Sequence, residues 1–557
     1  MVYSRTVKRF SVGILTVFTL YYVGFSWLPV SFVESRVLKF LIVAEPLLAL
    51  YPLDFIVISI LIMFTLHLYG YRLVKALPLA ILPLIVYMSY LLLGSHRVLS
   101  LTSIIVLVAL YYVFKRGGLE EVVLGFSYTI IAVELAAIIS SLSFFTLGSW
   151  SGIAKAVVIR ERLIWGFIEW FSIPLIIASS FIWLYTLLTN SKHPLQGLSG
   201  KLRSEKGSMC IVGGRALGVS LILVWVTILL PHLPSVNPSL KPVSVDTFYY
   251  MKFFKCAEEY GLAYALNELR GYGRPVYLTL LYMVNSVVGD PILLMDIIHP
   301  LISLSLLVIV VYIVVRRFVG DRAASITALL TSIGHSTITF IAGGFQANSL
   351  AFPIALCLFI IEPKSTVKLF TTLLIVALIH PWTFVMFSTA YLFYVWRVRR
   401  ESLHGTLRVL ALTLIALLVS EVVDRVVSNV SPSGLAVRTV TSSFNFNVIA
   451  NVFRGFEFWT WGSQANAPIL LASSISWVTT PASTLLAVIA PLTLISTSMI
   501  IHRLFLNIPL EMLAATVLVR VDRYVAIALI LSAITRSLIV LTGMTPLIGS
   551  VWEKILL

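Results

Sequence analysis

The stretch VSVDTFYYMKFFKCAEEYGLAYALNELRGYGRPVY, residues 243–277, stands apart from the chain around it. One Asp, three Glu, two Lys and two Arg sit among Tyr and Phe, in a protein that is 59% apolar and only 11% charged. Long apolar runs flank it at 211–231 and 293–315. At about 100° per residue, Phe253, Ala257, Tyr260 and Tyr264 share one helix face and Lys252, Lys255 and Glu259 share another. Aromatics on one side and charges on the other describe a helix lying in the membrane plane at headgroup depth. That reading sets how the rest of the chain is threaded.

A mean hydropathy of +1.00 is far above that of a soluble domain. Each membrane crossing needs roughly 20 mostly apolar residues, and the 557-residue chain offers about 13 to 16 such runs. The expected fold is therefore all-α, a polytopic bundle of transmembrane helices. Its first run follows Arg5, Lys8 and Arg9 with no small-residue cleavage site, so it reads as a retained span and not a signal peptide. The formal net charge of +16 would suggest a nucleic-acid partner in a soluble protein. Here Lys and Arg fall mostly at span ends, where the positive-inside rule and anionic headgroups account for them; membrane lipids, not nucleic acid, are the implied partners. Cys210, Cys256 and Cys357 are isolated, which indicates neither a metal site nor a disulfide framework.

Charge also orients the chain. Arg5, Lys8 and Arg9 place the N-terminus in the cytoplasm of a cell-membrane protein. Spans are expected near 10–30, 52–70, 75–94, 98–114, 122–142 and 164–189, so residues 1–189 form a six-span region. The basic linker 190–210 follows, and 211–557 forms a second membrane unit. A span at 211–231 exits outward, which puts 243–277 on the extracytoplasmic face. Arg316 and Arg317, Lys364, the Arg397, Arg399 and Arg400 cluster, and Arg503 then all fall on cytoplasmic ends, provided that 274–289 lies in the interface instead of spanning.

An acidic residue shortly after a first span, then an amphipathic stretch, then Arg-Pro-aromatic-Leu, is carried by Asp246, Lys252–Glu268 and Arg274-Pro275-Val276-Tyr277-Leu278. Downstream, GDPILLMDIIHPLISLSLLVIVVYIVVRRFVGDRAASITALL (289–330) continues the pattern with Tyr-x-x-x-Arg-Arg, Phe-x-Gly and Arg-x-Ala elements. Over roughly 211–400, with an echo near 520–530, the chain resembles the GT-C glycosyltransferases, among them the protein mannosyltransferases, the aminoarabinose transferases and the RgtA/B/C/D-like members. The resemblance implies a GT-C-like core with interfacial helices in its first outer loop. It also implies transfer of a sugar from a polyprenyl-phosphate carrier to an acceptor on the outer face.

By position, the resemblance makes Asp246 the catalytic carboxylate, which deprotonates the acceptor hydroxyl or helps to hold a metal. Such chemistry needs a carboxylate within reach of the attacking hydroxyl and a cation facing the leaving phosphate. Arg274 matches the family's basic position before Pro; it reads equally as a snorkelling interfacial residue. His299 stands where the family has an Arg, and packing against headgroups is the competing explanation. Gln346 and Asn348 occupy the place of a second acidic residue; amides suit a sugar better than a divalent cation, so the cofactor stays open. His380, before Pro381 and Trp382, falls at an outward turn where the family often has Lys-Gly near its carrier-lipid crevice. Arg520 and Arg523, at i and i+3 beside Tyr524, are expected to share a helix face and fork onto phosphate oxygens; an ion pair with Asp522 is the alternative.

Glu421 and Asp424 close a span before an aromatic loop at 425–465, whose rings would stack on sugars or anchor the loop. WTWGSQ is not the WWDYG signature of the oligosaccharyltransferases. A transporter or flippase would place charges deep in its bundle, whereas the acidic residues here fall mostly at span ends. An inactive scaffold is the third reading. No Walker, Rossmann, HExxH or GxSxG motif occurs.

Overall fold

A computed structural model describes residues 2–27, 51–93, 98, 100–149, 151–191, 193–194, 214–244, 246–268, 274–343, 345–428, 466–495 and 508–556. Every regular element among them is a helix, and seven are long and apolar enough to cross a membrane: 73–93, 101–147, 214–232, 293–318, 321–341, 403–428 and 523–542. The protein is an all-α polytopic membrane protein. The Leu101–Leu147 segment has 47 residues, about 70 Å at 1.5 Å per residue, twice the hydrocarbon thickness. Gly118, at φ +77°, breaks it into two arms, matching the two spans expected near 98–114 and 122–142. Six further apolar helices are too short to cross unaided, Pro275–Val288 and Thr366–Ile379 among them. Pro381 ends one run and starts the next, so one apolar run yields two short helices. Most of the 190–210 linker and of the 425–465 aromatic loop lies outside the described residues.

Two compact units are formed. The first comprises residues 1–172 together with 521–543, and the second comprises 173–520 with 544–557. In the first, helix Val2–Trp27 packs along Ser100–Leu147 at a crossing made by two glycines. A Cβ on Gly13 would sit 1.9 Å from the Gly125 carbonyl oxygen, and one on Gly125 would sit 2.4 Å from that of Arg9. Small residues let backbones approach this closely inside a membrane, where dispersion replaces the hydrophobic effect. Gly13→Leu is therefore expected to force the helices apart and cost roughly 1–3 kcal/mol or more. A lowered thermal midpoint of the detergent-purified protein checks this; an unchanged midpoint would mean that the crossing yields freely. At one end of the same pair, Arg9 bonds Glu121 at 3.1 Å, with Tyr69 and Arg5 also on that carboxylate.

In the second unit, the span 293–318 packs against helices Gln346–Leu356, Asp321–Ile333 and Gly214–Leu229. Thr247–Tyr260 is amphipathic as its sequence demands, burying Tyr250, Phe253, Phe254 and Ala257. Tyr260 and Tyr264 do not join that buried face; they are exposed and pack on each other, ring centroids 5.3 Å apart. Tyr260 is the last residue of its helix, and Gly261, whose φ of +89° ends that helix, redirects the next one, which carries Tyr264. Lys255 and Glu259 form an exposed i,i+4 pair at 3.8 Å. Pro275–Val288 has 14 residues, about 21 Å long and short of a crossing. It turns Leu280, Met283, Val284 and Val287 outward and buries Tyr277, Leu278 and Leu281.

Candidate functional site

The start of the Thr247–Tyr260 helix is where the polar side chains of the second unit gather. Asp246 occupies the N-cap position, half-buried, yet its side chain makes no capping hydrogen bond. One turn on, the Tyr250 phenol is buried and feels both Asp246 and Arg274. Arg274 donates from Nη1 to the Tyr250 hydroxyl at 3.2 Å. Burial pushes the Tyr250 phenol up from its ordinary value, the Arg274 charge pulls it back, and the Asp246 charge pushes it up again. The backbone N–H of Ala347 also reaches this phenol.

From Tyr250 the cluster runs inward. Tyr250 and Tyr277 meet edge to face with centroids 6.4 Å apart, and the Tyr277 hydroxyl shares a 2.9 Å hydrogen bond with His299 Nε2. His299 is thus buried against an aromatic core and does not face headgroups. Its Nδ1 meets no hydrogen-bond partner among the described residues. Arg274, placed by sequence as either a phosphate ligand or a snorkelling residue, is held at the cluster by Tyr250.

A carboxylate absent from the sequence-based candidates anchors this arrangement. Asp296 is buried and accepts from the Val243 backbone N–H at 2.7 Å and from the Thr247 hydroxyl, which also contacts Ser244. Gln346 donates from Nε2 to Ser244 Oγ at 3.1 Å and to Thr247 Oγ1 at 3.2 Å. Its own Oε1 is buried with no partner among the described residues. Asp296 and Gln346 thus grip both sides of Asp246. Asp296 stands on a π-helical turn, Leu293–Ile298, at the entry to its span, a distortion frequent at functional sites. That unusual turn, within LLMDIIHP, was the only available signal, and single-sequence periodicity does not reveal it.

Asn348, two residues beyond Gln346, accepts from the Thr383 hydroxyl at 2.6 Å, and His380 Nδ1 lies 2.7 Å from the same hydroxyl. His380 caps its own helix by accepting from Thr383 N–H at 3.1 Å. The structure therefore links Asn348 and His380 through Thr383. Arg520 and Arg523 do not share a helix face. Leu510–Leu518 ends before Arg520 and a new helix begins at Arg523, because residues 519–522 form a turn. Arg520 donates to the Thr516 carbonyl and lies over Trp477, whereas Arg523 belongs to the first unit and stacks on Tyr524 at 4.6 Å. Asp522 bonds the Tyr524 N–H at 2.8 Å.

Among the described residues no group of three or more His, Cys, Asp or Glu is placed to hold a metal ion. Nor do the acidic residues keep to span ends: Glu134 lies at the middle of the arm 119–147 with no exposure to solvent. No family model, characterised protein or solved structure matches the chain.

Proposed function

We propose that the second unit is a GT-C-type glycosyltransferase that moves a sugar from a polyprenyl-phosphate carrier to an acceptor hydroxyl on the outer face of the membrane. The observation that carries this reading is the hydrogen bond from Arg274 to the buried Tyr250 phenol, one helical turn from Asp246. Asp246 stands at the start of the helix and Arg274 reaches its first turn through Tyr250. In the proposed reaction Asp246 accepts the proton of the acceptor hydroxyl as its oxygen attacks the anomeric carbon. The bond from that carbon to the phosphate oxygen breaks, and the electron pair leaves with the polyprenyl phosphate. Arg274 faces the phosphate, where a planar fork of donors suits its oxygens. Gln346 Oε1, which has no partner among the described residues, offers an acceptor to a sugar hydroxyl, and the outward apolar face of Pro275–Val288 offers lipid tails a surface.

Purified protein incubated with a panel of polyprenyl-phosphate sugars is expected to release or transfer sugar; no turnover across the panel would count against the reading. Arg274→Ala is expected to weaken donor use, raising the KM for the phosphate-bearing donor by roughly 10- to 100-fold, the worth of one or two charge-assisted hydrogen bonds. Initial rates against donor concentration check this, and an unchanged donor KM would assign Arg274 to packing on Tyr250 alone.

A further inference from the structure

Glu134 lies in the first unit, at the middle of the apolar arm 119–147, and is fully buried. Its Oε1 accepts from the Trp165 indole N–H at 2.8 Å and from the Ser532 hydroxyl at 2.9 Å. Ser532 is itself at the middle of the span 523–542, so two independent helices place the carboxyl near the bilayer midplane. Oε2 is equally buried and meets no hydrogen-bond partner among the described residues. The hydroxyl of Thr535 lies 3.4 Å from the Glu134 backbone carbonyl and also approaches the carboxyl.

An unneutralised carboxylate at that depth is among the costliest groups a membrane protein can hold, and such groups mark ion and proton pathways. Asp54 and Arg160 pair with each other at 3.0 Å, and Glu161 and Arg536 have partners. On helix Val2–Trp27 the cations Arg5 and Arg9 are drawn to Glu121, and Lys8 lies over the Tyr69 ring. Glu121 is thirteen residues before Glu134 in the sequence, about 20 Å along the helix. The side chains at the carboxyl, Trp165, Ser532 and Thr535, are all neutral donors, and the bonds from Trp165 and Ser532 both fall on Oε1.

We propose that the first unit contains an intramembrane site for a small monovalent cation, a proton or an alkali-metal ion, bound at Glu134 Oε2. Trp165 and Ser532 fix the carboxyl through Oε1 so that Oε2 is presented to the incoming ion. The site is independent of the glycosyl-transfer reading of the second unit.

The full-length protein in lipid vesicles is treated with dicyclohexylcarbodiimide, an apolar reagent that attacks carboxyls through their protonated form. Modification at Glu134 is read by peptide mass. For a proton site, labelling is expected to fall by roughly an order of magnitude as pH rises from mildly acidic to mildly alkaline, with no effect of swapping sodium for choline. For an alkali-ion site, sodium or lithium should suppress labelling at fixed pH while choline does not. Two results would overturn the proposal: labelling of equal extent at every pH and in every salt, which describes a permanently closed structural hydrogen bond, or none at Glu134 while other carboxyls of the protein are modified. Trp165→Phe, which removes one donor but keeps Glu134, is expected to shift the pH or ion concentration at half-labelling; a purely structural Glu134 would show no such shift.

Discussion

Asp246→Asn is expected to leave the protein folded and inserted while sugar transfer falls about 100-fold or more, the usual size of a lost general base. The substitution keeps shape and an accepting oxygen and removes charge and basicity. Its structural cost should be small, because the side chain is half-buried at a helix start and makes no capping hydrogen bond. Turnover with a saturating donor, alongside a thermal melt, separates the two effects. Near-normal transfer by the Asn variant would remove Asp246 from the chemistry, and a collapsed melt would make it structural. The absence of a capping bond already argues against the blandest alternative, a residue kept only to start its helix.

The second large effect is expected at Asp296, a positioning residue. Asp296→Ala strips the acceptor from the Val243 N–H and the Thr247 hydroxyl. Buried donors left without partners cost about 1–3 kcal/mol each, so a loss of roughly 2–6 kcal/mol is expected from the pair. These donors flank Asp246 directly, so its carboxylate should also lose its place, and a misplacement of about 1 Å can cost 100-fold in rate. Asp296→Asn, which keeps an accepting oxygen, should restore much of both. Recovery of turnover in the Asn variant but not in the Ala variant identifies positioning; equal losses in both would assign Asp296 a charge-dependent part in the reaction instead.

What the chain discloses on reading follows from which forces are local. The alternation of Phe and Tyr with Lys and Glu after Asp246 is a local property, and the buried face at Tyr250, Phe253 and Ala257 follows from it. Arg274, set before a proline that can start a helix, was legible for the same reason. Asp296 was not. Its partners come from Val243 and Thr247, about fifty positions earlier, and Gln346, which grips the same hydroxyls, comes fifty positions later. In a run such as LLMDIIHP it reads as an acid at a span entrance. Tyr260 and Tyr264 misled in the opposite sense: Tyr260 is exposed at the last position of its helix, and one glycine at positive φ takes Tyr264 out of line with Phe253. Glu134 stands among apolar letters, and the hydroxyl that receives it lies 398 positions away, beyond the reach of periodicity.

The π-helical turn at Leu293–Ile298 also bears on which insertions and deletions the gene can tolerate. Such a turn holds one residue more than the α-helix it interrupts, and losing that residue would leave a regular helix with no break in the chain. Side chains beyond the turn would keep their faces, because the wide turn absorbs the extra residue, but those inside it would change their spacing. Asp296 and His299, which now reach separate partners at Thr247 and Tyr277, could not both keep them. Point substitutions in this stretch should therefore be tolerated more readily than any change in its length.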